Sequence, residues 1–183
     1  MSFCVLSGVG SISDQLHEYV KWCHSAGPGA WIVPELIARK GSGFAPADLP
    51  TGIHQGTPNQ CYSNAYHLAL ENGFDYVEGV IVREISPGIG IHHAWCATKD
   101  NDQAIDNTLR SSPNDIYYGI RFDNDKIYNI QEKLNYYGFL SGPIKPNYDL
   151  ALTLIDLCPD IGLYMAYQKA KRKQKRRRTI ATS

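Results

Sequence analysis

The stretch GIHHAWCATKDNDQAIDNTL (Gly90–Leu109) decides how this chain is read. β-Branched and aromatic residues flank a run of turn formers centred on Asp100-Asn101-Asp102, and the pattern predicts two strands joined by a turn. Register then decides which side chains meet. If the hairpin closes with an even-numbered loop, such as Asp100-Asn101, His93 lies opposite Thr108 and Trp95 opposite Asp106. His93 and Asp106 then share a face as diagonal neighbours, roughly 7–8 Å apart at Cα. A three-residue loop reverses the parity and puts His92 on the face of Asp106. The even loop is the commoner turn, so the expected pair is His93 with Asp106.

Around this hairpin the period of two continues. DYVEGVIVREI (Asp75–Ile85) fits a strand, and DIYYGIRF (Asp115–Phe122) fits another. Upstream, NQCYSNAYHLALENG (Asn59–Gly73) changes to a helical period, with a helix expected from about Asn59 to Asn72 and Gly73 as its C-cap. Its stripe of Tyr62, Ala65, Tyr66 and Ala69 is expected to face a core, and Asn64 to face solvent. Ser13–Ser25 also reads as a helix, and AWIVPELIARKG (Ala30–Gly41) as a shorter apolar segment. From Gly41 to Gln60 the chain is rich in Gly, Pro and Thr and is expected to be loop. DKIYNIQEKLNYYG (Asp125–Gly138) and YDLALTLIDLCP (Tyr148–Pro159) are again helical. Helices, then a strand cluster, then helices imply an α+β domain. Residues 1–168 are expected to form one globular unit, and 169–183 a flexible basic tail.

The 183 residues are 43% hydrophobic and 20% charged, enough for one domain with a substantial core. No run approaches the ~20 apolar residues of a membrane span. The start, MSFCVLSGVG, has no basic region and too short an apolar stretch for a signal peptide. A cytoplasmic location is expected, or a nuclear one in a eukaryotic cell. Cys4, Cys23, Cys61, Cys96 and Cys158 show no CxxC spacing, which argues against a disulfide framework and a structural zinc site. No metal or organic cofactor is expected. The formal net charge of zero hides an asymmetry: residues 1–168 carry ten basic and eighteen acidic groups, a net of −8, and the other eight basic groups lie in Lys169–Arg178. Lys171, Arg172, Lys173, Lys175, Arg176, Arg177 and Arg178 could bind nucleic acid through phosphate contacts, without sequence preference. A nuclear-import signal and a plain solvated extension are the competing readings.

Cys61 stands on the first turn of its helix. A free Cys is often simply buried; a helix N-terminus, however, favours negative charge and turns a thiol towards thiolate. Thiolate chemistry needs a base and a group that orients the base, and His93 with Asp106 supplies both types. Here HHAWCATKDNDQAIDNT (His92–Thr108) resembles the His-Ala-Trp … Asp-x-Thr hairpin of transglutaminase-like proteins, within the papain-like superfamily. QGTPNQCYSNAY (Gln55–Tyr66) is similar to the papain-type segment in which Gln-Gly precedes a nucleophilic Cys on a helix.

The resemblance implies a papain-like or transglutaminase-like α+β fold, with the nucleophile helix packed on a small antiparallel sheet, flanking helices and a catalytic core at about 55–122. It implies Cys61 as nucleophile, His93 as base, Asp106 as orienting acid and Gln55 as the oxyanion-hole amide, with Gln60 competing for that role. His92 and Trp95 are candidate substrate contacts, against the plainer readings of a strand histidine and a core indole. Cys23 and Cys96 sit in apolar stripes and are expected to be inert. Two departures stand out: the Gly and second Cys of the papain signature are absent, and His93 follows Cys61 by only 32 residues. The activity implied is thiol-dependent hydrolysis or acyl transfer at an amide bond of a protein or peptide-like substrate, by a peptidase, amidase, deamidase or transglutaminase. The alternative is a non-enzymatic binding protein that holds a protein or nucleic-acid partner in its cleft or on its tail.

Overall fold

Tyr76, Glu78 and Val80 alternate with Val77, Gly79 and Ile81 along one strand, and this period of two divides the sheet into two faces, each with its own apolar cluster. The structure, a computed structural model, describes residues 37–85, 90–134 and 137–140. The helices expected at Ser13–Ser25 and Tyr148–Pro159, the cysteines Cys4, Cys23 and Cys158, and the basic tail lie outside the described residues. In chain order the elements are β1 (Ser42–Ala47), α1 (Cys61–Asn72), β2 (Asp75–Val82), β3 (Gly90–Ala97), β4 (Gln103–Ile105), β5 (Ile116–Arg121) and α2 (Asn124–Leu134).

The strands close on themselves in the order β1-β4-β3-β2-β5. β2 pairs antiparallel with both β3 and β5, and β3 pairs antiparallel with β4. β1 seals the cylinder, parallel to β4 and antiparallel to β5. The expected papain-like α+β arrangement, a nucleophile helix on a small antiparallel sheet, is therefore not the fold. The described residues are mostly sheet, closed into a five-stranded barrel, and their helices are short. The correction originates in the segment expected to be loop. Ser42–Ala47 is a strand, and it satisfies the open edges of β4 and β5 at once, with Ala45 opposite Gln103 and Phe44 opposite Tyr117.

Phe44, Val77, Ile81, Trp95, Ala97, Ala104 and Tyr117 form the inner cluster. The indole of Trp95 is fully buried, edge-on to Phe44 and Tyr117. Two glycines make room for it. Gly79 and Gly119 face each other across β2 and β5, and a Cβ on Gly79 would stand 2.2 Å from the Tyr118 carbonyl and 2.9 Å from the Trp95 ring. Arg121 ties the barrel end where β2 starts, bonding Asp75, the Thr98 carbonyl and Asp102, while Arg83 and Asp115 pair at 2.9 Å near the end of β2.

The outer face of β2 and β3 is covered by α1, whose Ala65, Leu68 and Ala69 are buried against it. The helix stripe is thus shifted from the expected one: Leu68 joins it, and Tyr62 and Tyr66 only flank it. Gly73 ends α1 as expected, at φ 69° with its N–H on the Ala69 carbonyl. Glu78 lies fully buried on this face, accepting from the Tyr76 hydroxyl at 2.8 Å and from the Phe139 and Leu140 amides at 2.7 Å each. Burial pushes its carboxyl up to about 7 against the pull of those three donors.

Candidate active site

The hairpin adopts the even register. Cys96 pairs with Ile105 and Ala97 with Ala104, the same parity that sets His93 opposite Thr108. β4 stops at Ile105, however, so Asp106 lies just past the strand and not on it. The carboxylate explains the stop. Asp106 Oδ1 accepts from the backbone N–H groups of Thr108 at 2.8 Å and Leu109 at 3.0 Å, a local turn that replaces the strand ladder. Asp106 Oδ2 then points at His93, with His93 Nε2 at 2.8 Å. Both residues are almost fully buried, at 3% and 2% exposed.

A third side chain completes the carboxylate's shell. Tyr117 Oη donates to Asp106 Oδ2 at 2.9 Å, and Ser111 Oγ lies 2.9 Å from the same hydroxyl. A phenol has one proton, and Asp106 takes it, so Ser111 is the donor to Tyr117. Nothing in the local sequence distinguishes Tyr117 from Tyr118; only closure of β5 onto β1 and β2 turns its hydroxyl to Asp106.

Cys61 reaches the imidazole from the first turn of α1. β3 has no strand partner on the β4 side before Cys96, so the ring's surroundings on that side come from loop and helix start. The turn into α1 is made by Asn59, left-handed at φ 63°, and the helix begins two residues later than expected, at Cys61. Gln60 precedes the helix without a side-chain cap, and the first turn holds no acid, so the positive end of the helix is left to the thiol. Burial opposes charge on His93, but the hydrogen bond to Asp106 and then the contact with Cys61 outweigh it and raise the imidazole to about 9. Burial likewise acts to raise Asp106, and the bond to His93 reverses it, leaving the carboxyl below its usual range. The three groups form a line: thiol, imidazole, carboxylate.

Asn64 does not face solvent as expected. Its Nδ2 donates to the Thr57 carbonyl at 2.7 Å and to Thr108 Oγ1 at 2.9 Å, and its Oδ1 accepts from Thr57 N–H at 3.2 Å. With Gly56 N–H on the Asn107 carbonyl at 2.6 Å, this stitches the 55–60 loop to the turn that holds Asp106. Gly56 leaves the space that the Asn64 amide fills, since a Cβ there would meet it at 2.5 Å.

The remaining expected residues fall apart from this line. Gln55 and Gln60 are exposed on the loop before Cys61, and neither side chain makes a hydrogen bond among the described residues. Trp95 is sealed in the barrel and cannot touch a substrate; it stacks 6.4 Å from His93 and backs the ring instead. His92 is turned to the opposite strand face, and desolvation lowers it to about 4, so it is neutral. The Cys96 thiol donates to the Ala65 carbonyl at 3.1 Å, and burial raises its pKa, which keeps it a protonated thiol. Among the described residues no cluster of three His, Cys, Asp or Glu side chains could hold a metal ion, and no helix is long and apolar enough to cross a membrane.

Comparison with protein-family models, with curated proteins and with solved structures finds no match to this chain.

Proposed function

We propose that the protein is a thiol enzyme acting on an amide bond through Cys61, His93 and Asp106. One observation carries the reading. Residues from three separate segments meet in the order nucleophile, base, orienting acid, with the buried His93–Asp106 bond at 2.8 Å and Cys61 against the same imidazole. Such constellations are defined by geometry and not by fold, so a barrel can host one as well as the expected architecture could. The residue-level likeness to the transglutaminase-type hairpin supports the same roles.

In the proposed reaction the Cys61 thiolate attacks the carbonyl carbon, forming a C–S bond while the carbonyl π electrons move to oxygen. The uncapped N–H groups at the start of α1 stabilise that oxyanion, with the Gln55 or Gln60 amide free to swing in. His93, protonated beside Asp106, gives its proton to the leaving nitrogen as the C–N bond breaks. The thioester is then resolved by water or an amine, with His93 taking the proton back. A free thiolate needs a reducing compartment, consistent with a site inside the cell. The basic run from Lys169 is proposed as a separate, sequence-independent nucleic-acid arm.

Iodoacetamide labelling at pH 6, mapped by mass spectrometry, tests the centre. Cys61 is expected to label faster than a free thiol, Cys96 to stay unlabelled, and His93→Ala to abolish the preference for Cys61. Labelling of Cys61 no faster than that of a free cysteine at this pH removes the proposal.

A further inference from the structure

Asn64 stands one turn after Cys61, and residues three apart on a helix are neighbours on its surface. Its amide is fully committed. The Thr57 carbonyl can only accept and the Thr57 N–H can only donate, so the orientation of the amide is fixed. Nδ2 donates to that carbonyl at 2.7 Å, and Oδ1 accepts from that N–H at 3.2 Å. The second Nδ2 proton goes to Thr108 Oγ1 at 2.9 Å, 44 residues further along the chain. Gly56 is matched to this arrangement, because a Cβ there would stand 2.5 Å from Asn64 Cγ and 2.7 Å from each of the amide heavy atoms.

Thr108 is also the residue whose backbone N–H holds Asp106 Oδ1 at 2.8 Å, while Asp106 Oδ2 holds His93 Nε2 at 2.8 Å. The contacts therefore close a ring. It runs from Cys61 to His93, Asp106, Thr108 and Asn64, and returns to Cys61 through one turn of α1. Packing of Ala65, Leu68 and Ala69 carries α1 on the sheet, but burial of apolar surface is non-directional. The hydrogen bonds of Asn64 add a directional tie at the first turn, where the thiol is.

We propose that Asn64 is a positioning residue of the thiol centre, holding the first turn of α1 to the Asp106 turn so that Cys61 stays on the His93 imidazole. This role rests on the reading of Cys61, His93 and Asp106 as the reacting line.

Iodoacetamide labelling of Cys61 in the full chain, at pH 6 and at about pH 10, tests it. At pH 6 the rate depends on imidazolium held beside the thiol; at about pH 10 an ordinary thiol ionises unaided, and the rate reports access alone. Asn64→Ala is expected to slow labelling about ten-fold at pH 6 and to leave the rate at about pH 10 within about two-fold. Gly56→Ala keeps every donor but displaces the amide, and Thr108→Val removes its acceptor; both are expected to act as Asn64→Ala does. Thr108→Ser, which keeps the hydroxyl, is expected to keep the ratio of the two rates. Should Asn64→Ala lose its fold, seen as labelling of Cys96, the Gly56 and Thr108 variants decide. An unchanged ratio in the variants, or equal slowing at both pH values, overturns the positioning role and leaves the thiol reading standing. Labelling of wild-type Cys61 at pH 6 no faster than a free cysteine overturns that reading, and the role with it.

Discussion

Tyr117 and Asp106 meet through the same carboxylate oxygen that holds His93: Tyr117 Oη stands 2.9 Å from Oδ2, and His93 Nε2 stands 2.8 Å from it. With Oδ1 occupied by two backbone N–H groups, the carboxylate accepts four hydrogen bonds and has no freedom to turn. An acid so held fixes the imidazole's tautomer and angle, which is the role a third member plays beside a catalytic histidine. The phenol also tempers it, because each donor to Oδ2 draws negative charge away from His93.

Tyr117→Phe removes that donor and leaves the ring in place. Stability is expected to fall by about 1.5–3 kcal/mol, as for a lost buried hydrogen bond to a charged group. The carboxylate becomes a stronger partner for the imidazolium, so His93 is expected to titrate at higher pH than in the unmodified protein. NMR titration of the imidazole resolves it; an unmoved or lowered midpoint means that the phenol does not act through Asp106.

The two neighbouring histidines are expected to titrate far apart, His93 near 9 and His92 near 4. In the proposed mechanism the leaving nitrogen takes its proton from imidazolium, which is present below about 9. Amide turnover should therefore decline as pH rises through that value, and His92→Ala should keep the decline. A His93 midpoint near 6.5, the ordinary value, would break the assigned coupling among Cys61, His93 and Asp106.

Glu78 and His92 oppose each other in the pH dependence of stability. The folded state keeps the Glu78 proton up to about 7, while the unfolded chain releases it near 4.5, so stability falls with rising pH in that window. Folded His92 releases its proton near 4 and the unfolded chain near 6.5, so there stability rises with pH. The two slopes nearly cancel between pH 5 and 6.5. In Glu78→Gln the His92 slope stands alone, and denaturant unfolding should show stability climbing by about 2 kcal/mol across that interval. A flat profile in the variant refutes the assignment.

Gly79→Ala tests the barrel interior. Its Cβ would press on the Tyr118 carbonyl, on Gly119 Cα at 2.4 Å and on the Trp95 ring, none of which can retreat in a closed sheet. A loss of about 3 kcal/mol or more is expected. Gly43→Ala, whose Cβ would meet only the Tyr118 ring at 4.0 Å, should change stability by less than about 1 kcal/mol. Equal melting temperatures for the two variants would count against the close approach of β2 and β5.

Much of the local structure is legible in the chain itself. The period of two marks β2, β3 and β5, Gly73 marks the end of α1, and the parity of the turn after Ala97 selects His93 over His92 as the partner of Asp106. These are short-range facts, set by side-chain alternation and by the one backbone conformation that glycine adopts without strain. β1 is illegible for the opposite reason. Ser42–Ala47 has the Gly and Pro content of a loop, and its strand conformation depends on β4 and β5, which stand more than fifty residues further along the chain.

Closure of the barrel, the turn of Tyr117 towards Asp106 and the burial of Trp95 follow from that distant pairing, and the clamp of Asn64 on Thr57 and Thr108 likewise joins segments remote in the chain. The sequence by itself determined which residue types could form a thiol centre and in what order they occur. Only the tertiary structure decided which side chains face one another, because the hydrogen bonds that make a strand of β1 exist only once its remote partners are in place.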